Sequence, residues 1–223
     1  MALGYCRRMT GPGRLVVIEG ISASGKTTLC DGLAAALRGT GLSTHHLRDP
    51  GGSQLGDAIR ELVPHRQTDR AAALLYAAAR AQTVEEVVRP ALARGEWVVT
   101  ARWTPSSLVY EGEALGLGVE TVRWLCDFST AGVKPDRVLV LTLDATLARA
   151  RRIERDGGAA AGPQSDIGKR IQSAYARLEE MEVDGLIARL DASPPPDAVL
   201  QAAVAALEDL LPDDVRRRLQ SAV

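Results

Sequence analysis

The most informative stretch of this chain reads Arg14-Leu-Val-Val-Ile-Glu-Gly20-Ile-Ser-Ala-Ser-Gly25-Lys26-Thr27-Thr28. Its first half is a short apolar, β-branched run closed by Gly20, which is typical of a strand buried in a parallel sheet. From Lys26 to Arg38, apolar residues then recur at helical spacing. The stretch therefore predicts a strand, a glycine turn and a helix, in that order.

The turn has the pattern G-x-x-x-x-G-K-[ST] from Gly20 to Thr27, directly after the predicted strand. In that position glycines let backbone N–H groups curl around phosphates, Lys26 neutralises the β and γ oxygens, and the Thr27 hydroxyl is placed for Mg²⁺. An ordinary Gly/Ser turn is the alternative, and both flanking elements disfavour it. We therefore predict a cradle for ATP and Mg²⁺ formed by Gly20, Ser22, Ala23, Ser24, Gly25, Lys26, Thr27 and Thr28.

The alternation of strands and helices continues along the chain. Apolar runs predict further strands at residues 43–48, 96–101, 136–143 and 185–191. Helical spacing predicts helices at residues 69–94, 119–129, 145–155, 166–181 and 196–211. This order predicts an α/β P-loop NTPase fold, with a five-stranded parallel sheet and helices on both faces. Ligands are then expected beyond the carboxyl ends of the strands.

The composition limits the classes of partner. With 27 basic and 28 acidic residues among 223, the formal net charge of -1 gives no global attraction to nucleic acid or to an anionic membrane. Cys6, Cys30 and Cys126 are too widely spaced for a zinc or redox motif and indicate free thiols in a reducing cytoplasm. No apolar run suits a secretion signal or a membrane span, and translation is expected to begin at Met1 or Met9.

Four further segments resemble thymidylate kinases and follow the order of that family. Residues 48–53 (Arg-Asp-Pro-Gly-Gly-Ser) resemble its Arg-Glu-Pro-Gly-Gly-Thr loop, and residues 75–82 and 89–95 resemble the helix beside its nucleobase pocket. Residues 102–112 (Arg-Trp-Thr-Pro-Ser-Ser-Leu-Val-Tyr-Glu-Gly) resemble Asp-Arg-Tyr-x-x-Ser-Ser-x-Ala-Tyr-Gln-Gly without its first residue. The resemblance implies an ATP- and Mg²⁺-dependent kinase of a nucleoside monophosphate, converting dTMP to dTDP.

The resemblance also implies an acceptor site. Tyr76 takes the position of the ring that stacks on thymine, and Arg80 that of the side chain that hydrogen-bonds the base edge. A core aromatic and a solvated helix arginine are the respective alternatives. Arg48 and Arg102 match positions near the acceptor phosphate, and Arg102 is expected to be catalytic together with Lys26. The remaining predicted acceptor contacts are Asp49, Ser107 and Tyr110.

On this interpretation residues 14–211 form the kinase domain, with a small lid at about residues 149–165. Residues 1–13 are predicted to be a disordered extension and residues 212–223 a C-terminal tail. The resemblance implies that an arginine of the lid closes over ATP as a catalytic group, and both Arg152 and Arg155 suit that role. A solvated basic helix face is the alternative.

Two positions depart from the family pattern. Ser22 and Ala101 stand where most thymidylate kinases carry carboxylates, which weakens the expected Mg²⁺ site; Asp49 is predicted to join the cradle threonine at the metal. Glu111 in place of a glutamine points to altered acceptor specificity.

Two alternatives stay open: a kinase of a modified nucleotide or other small phosphorylated metabolite, and an ATP-binding regulatory protein without turnover. The resemblance implies a homodimer, for which the alanine-rich helix at residues 69–94 is a candidate surface, and packing of that helix within the domain is the alternative. No nucleic acid or membrane partner is expected.

Overall fold

The computed structural model describes residues 12–63, 68–157 and 165–222. Its strands are β1 (Arg14–Gly20), β2 (Thr44–Arg48), β3 (Trp97–Ala101), β4 (Arg137–Thr142) and β5 (Leu186–Asp191). They form one parallel sheet in the order β2-β3-β1-β4-β5. The predicted five-stranded parallel sheet is confirmed.

The helices surround this sheet. They are α1 (Lys26–Gly39), α2 (Gln54–Leu62), α3 (Asp69–Thr83), α4 (Arg89–Ala93), α5 (Thr104–Ser107), α6 (Val119–Thr130), α7 (Ala145–Arg155), α8 (Asp166–Ala176), α9 (Pro196–Ala205) and α10 (Asp213–Ala222). π-helical turns at Val84–Val88 and Leu108–Ala114 continue α3 and α5, and a 3₁₀ turn at Leu178–Met181 follows α8. The helix predicted at residues 69–94 is therefore one helical run interrupted by a π turn.

The central strand β1 explains why helices cover both faces. Val16 and Ile18 point into one apolar core, and Leu15 and Val17 point into a second core on the opposite face. All four side chains have no exposed surface. A strand buried on both faces is apolar throughout, which is the pattern that the sequence shows.

The C-terminal residues differ from the prediction. The expected tail at 212–223 is instead helix α10, whose Val215 and Leu219 are buried in the core that also contains residues of α1. Helix α2 was also not predicted; the hydroxyl of Ser53 begins it by accepting a hydrogen bond from the Gly56 N–H at 3.0 Å. Residues 1–11 of the predicted extension and residues 158–164 of the predicted lid lie outside the described residues. Among the helices described, none has the length and apolar character needed to cross a membrane.

The register of the sheet brings three chain segments together at its carboxyl edge. Ala101 of β3 lies beside Ile18 of β1 and beside Arg48 of β2. The glycine turn after β1, the loop after β2 and the segment that begins at Arg102 therefore leave the sheet as neighbours. Ligand groups carried by these three segments meet at this edge.

Candidate active site

The turn between β1 and α1 forms an open backbone cradle. Gly20 and Gly25 have φ angles of 138° and 93°, which glycine adopts without strain. A Cβ at Gly20 would lie 2.6 Å from the Leu141 carbonyl oxygen, so the turn also needs a residue without a side chain. Because Gly25 carries no capping side chain, the first N–H groups of α1 remain available for an anion.

Lys26 lies in the cradle with 9% of its surface exposed. Its Nζ donates hydrogen bonds to the carbonyl oxygens of Gly20 at 2.9 Å and Ile21 at 2.7 Å. Burial, followed by the positive charge of Arg102, lowers the pKa of Lys26 to about 7, although Glu19 acts in the opposite direction. A bound polyphosphate would favour the charged form of Lys26, since it places negative charge beside the amine.

A cleft of about 550 Å³ lies over the cradle, and we call it the donor cleft. The predicted cradle residues Ser22 to Thr28 line it, and Gly20 forms the turn below them. Its basic side chains are Lys26, Arg48, Arg102, Arg151 and Arg155. Pro194, Pro196 and Val199 add an apolar wall, so the cleft suits a ligand with a polyphosphate at one end and a flat apolar group at the other.

A second pocket of about 250 Å³ adjoins the cleft, and we call it the acceptor pocket. Every residue predicted to contact the acceptor lines it: Arg48, Asp49, Tyr76, Arg80, Arg102, Ser107 and Tyr110. Arg48 and Arg102 line both spaces. These two guanidinium groups therefore stand at the junction between donor cleft and acceptor pocket.

Arg80 and Asp49 form a buried ion pair in the acceptor pocket. Arg80 is 2% exposed, which excludes a solvated helix arginine. Its Nε and Nη2 donate to Asp49 Oδ2 at 2.8 and 2.6 Å, Nη2 also donates to Ser107 Oγ at 3.0 Å, and Nη1 lies 3.5 Å from Cys126 Sγ. These contacts use four of the five N–H groups of a guanidinium and leave one at Nη1 for a ligand.

Asp49 and the cradle threonine Thr27 line different spaces. Asp49 lines the acceptor pocket and not the donor cleft, and its Oδ2 is occupied by Arg80. The predicted role of Asp49 at the metal therefore has no geometric support. No Asp or Glu lines the donor cleft, and the described part of the chain holds no cluster of three or more metal-ligating side chains. Mg²⁺ prefers carboxylates among protein ligands, so the residues that line this cleft offer it no carboxylate and only hydroxyl groups such as that of Thr27.

Arg102 is held in a strained backbone conformation. Its φ of 74° is uncommon for a residue with a side chain and costs on the order of 1–3 kcal/mol. The Arg102 N–H donates to the Ile18 carbonyl oxygen at 3.0 Å, and the side chain lies 5.0 Å from the centre of the Tyr110 ring. The backbone and the ring together aim the guanidinium at the junction of the two spaces.

Glu19 is a site residue that sequence reasoning missed. It ends the apolar run of β1 and has no exposed surface. Its Oε1 accepts from the N–H groups of Trp103 at 2.9 Å and Ser106 at 3.1 Å, and its Oε2 accepts from Ser106 Oγ at 2.7 Å and Tyr175 Oη at 2.8 Å. The carboxylate thus fixes the segment that follows Arg102. A lone glutamate in an apolar strand, directly before a glycine turn, was the available signal.

The basic helix α7 presents one face to the donor cleft. Arg151 and Arg155 line the cleft, and Arg152 does not. Residues four apart share a helix face, whereas Arg152 lies about 100° round the helix from Arg151. Arg151 donates to the Ala192 carbonyl oxygen at 2.9 Å, while Arg155 is exposed and pairs with Asp156 at 2.7 Å. Of the two lid arginines predicted to be catalytic, Arg152 and Arg155, only Arg155 lines this cleft.

Two further side chains define the end of the acceptor pocket. Tyr76 is half-buried and lines the pocket, so it is not a core aromatic. Glu111 is 6% exposed, and burial raises its pKa to about 7. The pocket therefore offers a ring for stacking and a carboxyl group that exchanges its proton near neutral pH.

A glycine cradle after the first strand of a parallel sheet, a cationic cleft above it and an adjoining acceptor pocket together define a P-loop phosphotransferase. A family model described as thymidylate kinase matches residues 18–203. The chain belongs to the thymidylate kinase family, and the resemblance inferred from the sequence is confirmed.

Individual relatives agree with this assignment. The chain is 39% identical to a thymidylate kinase of Rhizorhabdus wittichii over 215 residues, covering 90% of this chain and 100% of that protein. It is 37% identical to a thymidylate kinase of Solidesulfovibrio magneticus, with 88% and 99% covered. A thymidylate kinase of Leifsonia xyli is 40% identical over 75% of this chain and 82% of that protein.

Proposed function

We propose that this protein transfers the γ-phosphoryl group of ATP to dTMP and releases dTDP and ADP. The observation that carries the proposal is that Arg48 and Arg102 line both the donor cleft and the acceptor pocket. A nucleotide in each space would bring its phosphates to this shared wall. The printed names of the relatives, all thymidylate kinases, support the choice of dTMP.

Phosphoryl transfer needs in-line positioning and neutralised charge rather than covalent participation by the protein. Lys26 and the N–H groups at the start of α1 hold the donor phosphates from below. Arg102 contacts the transferring group from the acceptor side, and Arg155 approaches from α7. Mg²⁺ accompanies ATP in our proposal, and the Thr27 hydroxyl is the predicted protein contact; no step is assigned to a metal held by the protein.

The acceptor would be recognised at its base, sugar and phosphate separately. Tyr76 stacks on the base, and the remaining N–H of Arg80 Nη1 donates a hydrogen bond to the base edge. Tyr110 lies beside Arg102 at the sugar. The buried Asp49 acts through Arg80, because it fixes the guanidinium rather than touching the nucleotide.

The test is ADP release by the purified protein with ATP and Mg²⁺, first without an acceptor and then with dTMP, dUMP, dCMP, UMP or dGMP. We expect strong and selective stimulation by dTMP. Tight ATP binding without stimulation by any of the five nucleotides would contradict the proposal and favour a binding-only protein or another phosphorylated acceptor.

One observation favours a second acceptor. Glu111 places a carboxyl group in the acceptor pocket, and a carboxylate accepts a hydrogen bond from the amino group of cytosine, which thymine lacks. If this contact decides specificity, dCMP rather than dTMP gives the highest rate, and the preference grows as the pH rises above the Glu111 pKa of about 7.

Replacing Tyr76 by alanine tests the stacking role. Base–aromatic stacking contributes about 1–3 kcal/mol, so we expect the KM for the acceptor to rise by about 10- to 100-fold while the KM for ATP is unchanged. Tyr76→Phe is the matched control, because it keeps the ring and should keep most of the affinity. Equal effects of Tyr76→Ala on both substrates would place the ring outside the base site.

We further propose a homodimer, formed through an exposed apolar face on α3 and α6. Trp124 and Phe128 stack with ring centroids 5.7 Å apart although 67% and 71% of their surfaces are exposed. Leu74, on the adjacent α3, is 57% exposed. Large exposed aromatic side chains in a cluster are typical of protein interfaces.

A cytoplasmic location is proposed as well, supported by the buried free thiols of Cys30 and Cys126.

The aromatic pair gives a direct test of the dimer. Trp124→Asp should convert the protein to a monomer in light scattering coupled to size-exclusion chromatography, because it places a charge in the apolar interface. Ile167→Asp, which changes an exposed apolar residue on α8, should leave the dimer intact. A wild-type protein that is monomeric at micromolar concentration would refute this interface.

A further inference from the structure

The donor cleft combines many cations with no carboxylate. Its charged side chains are Lys26, Arg48, Arg102, Arg151 and Arg155, and all five are basic. The residues outside the described ranges, 1–11, 64–67, 158–164 and 223, include no Asp or Glu in the sequence. Every acidic residue of the chain therefore has a described position, and none of them lines this cleft.

Three acidic residues beside the cleft make contacts within the protein. Glu19 precedes the cradle, but its two oxygens accept four hydrogen bonds from groups of the protein. Asp49 pairs with Arg80 in the acceptor pocket. Asp156 pairs with Arg155 at 2.7 Å. At the cleft wall itself stand Ser22 and Ala101, neither of which carries a charge.

This charge pattern has a consequence for the ligand. Bound Mg²⁺ neutralises two negative charges of a polyphosphate. Protein carboxylates normally help to hold the metal in such a complex. Here no carboxylate is present to attract the metal, whereas five basic groups attract the phosphates directly. The uncomplexed polyphosphate therefore gains more from this cleft than its magnesium complex does.

We propose that the donor cleft binds ATP without Mg²⁺ at least as tightly as it binds the Mg²⁺ complex, the basic side chains taking over the neutralisation of its phosphates. The inference rests on the proposed ATP-dependent function. It concerns the binding of ATP alone and assigns no step to a metal held by the protein. Ala101 and Ser22 are the positions at which we test this property, since each lines the cleft and neither carries a carboxylate.

The test is calorimetric titration of the purified protein with ATP, in EDTA and in excess Mg²⁺, at pH 7 and constant ionic strength. We expect the ratio of the Kd without Mg²⁺ to the Kd with Mg²⁺ to be about one or less. A ratio that exceeds one beyond the error of the titration would overturn the inference and leave the proposed function intact. Absence of binding in both buffers would overturn the proposed function as well.

Variants separate charge from other effects. Ala101→Asp should raise the Kd ratio at least about tenfold, because the new carboxylate repels free phosphates and attracts the metal. Ala101→Asn has a similar size without the charge and should keep the wild-type ratio. Since Ala101 is 5% exposed, Ser22→Asp in the more accessible turn provides an independent variant with the same expected direction. Unchanged ratios in folded Ala101→Asp and Ser22→Asp proteins would overturn the assignment.

Discussion

Replacing Arg102 by alanine lowers kcat with saturating ATP and acceptor by about 10³-fold or more, the largest loss that we expect from one arginine. Arg102 lines both spaces, so in the proposed reaction it would contact the group that moves between them. An arginine that stabilises the charge of a transferring phosphoryl group contributes mainly in the transition state, which is why the loss appears in kcat. Coupled-enzyme detection of ADP, combined with separate titration of each nucleotide, measures it.

Two further variants make this result interpretable. Arg102→Lys keeps a positive charge without the planar pair of donors, so only part of the rate should return. Arg94→Ala removes an exposed arginine that pairs with Glu96 outside both pockets, and it should behave as wild type. If Arg102→Ala raised only the KM for the acceptor, with kcat unchanged, Arg102 would be a binding residue and not a catalytic one.

The sequence was sufficient for the parts of the site that are local. The cradle from Gly20 to Thr27 and the five parallel strands follow from short-range patterns and were predicted. The spacing of residues on a helix separates Arg155 from Arg152, but which of the two faces lines the cleft follows from the packing of α7. Local periodicity therefore identified the donor side of the site.

The network behind Arg102 was not accessible in this way. Glu19 and Tyr175 are 156 positions apart in the chain, and their hydrogen bond exists only after α8 packs against β1. The Asp49–Arg80 pair joins residues 31 positions apart, and no sequence pattern indicated that Arg80 would occupy this carboxylate. Sequence patterns give the type of a side chain, but the partner that occupies it depends on tertiary packing.

Helix α10 shows a different limit. The run Arg216-Arg217-Arg218 suggested a solvated tail, yet Val215 and Leu219 are four residues apart and bury one face of a helix. Arg218 also pairs with Asp214 at 2.6 Å on the exposed side. A few buried positions were enough to order the segment, and the high local charge masked them.

Lys26 should make ATP binding depend on pH. Its pKa is lowered to about 7, mainly because it is buried and lies near Arg102. Polyphosphate binding favours the charged amine and raises this pKa, so ATP binding takes up a proton whenever the pH exceeds about 7. The Kd for ATP should therefore be nearly constant below pH 7 and approach a rise of about tenfold per pH unit above it, giving about 50-fold weaker binding at pH 9 than at pH 7.

Calorimetric titration from pH 6 to pH 9 measures this dependence, and repeating it in buffers of different ionisation enthalpy counts the protons taken up. Lys26→Met lacks the titrating amine, so it should bind ATP weakly at every pH, and its Kd should no longer rise above pH 7. Its turnover should fall by about 10³-fold, because the β and γ oxygens lose their main charge partner. The titration of ATP itself is common to both proteins, and the difference between their profiles isolates Lys26. A slope that persists in Lys26→Met would assign the proton to another group, and a flat wild-type profile would show that the buried amine keeps its charge in the empty cleft.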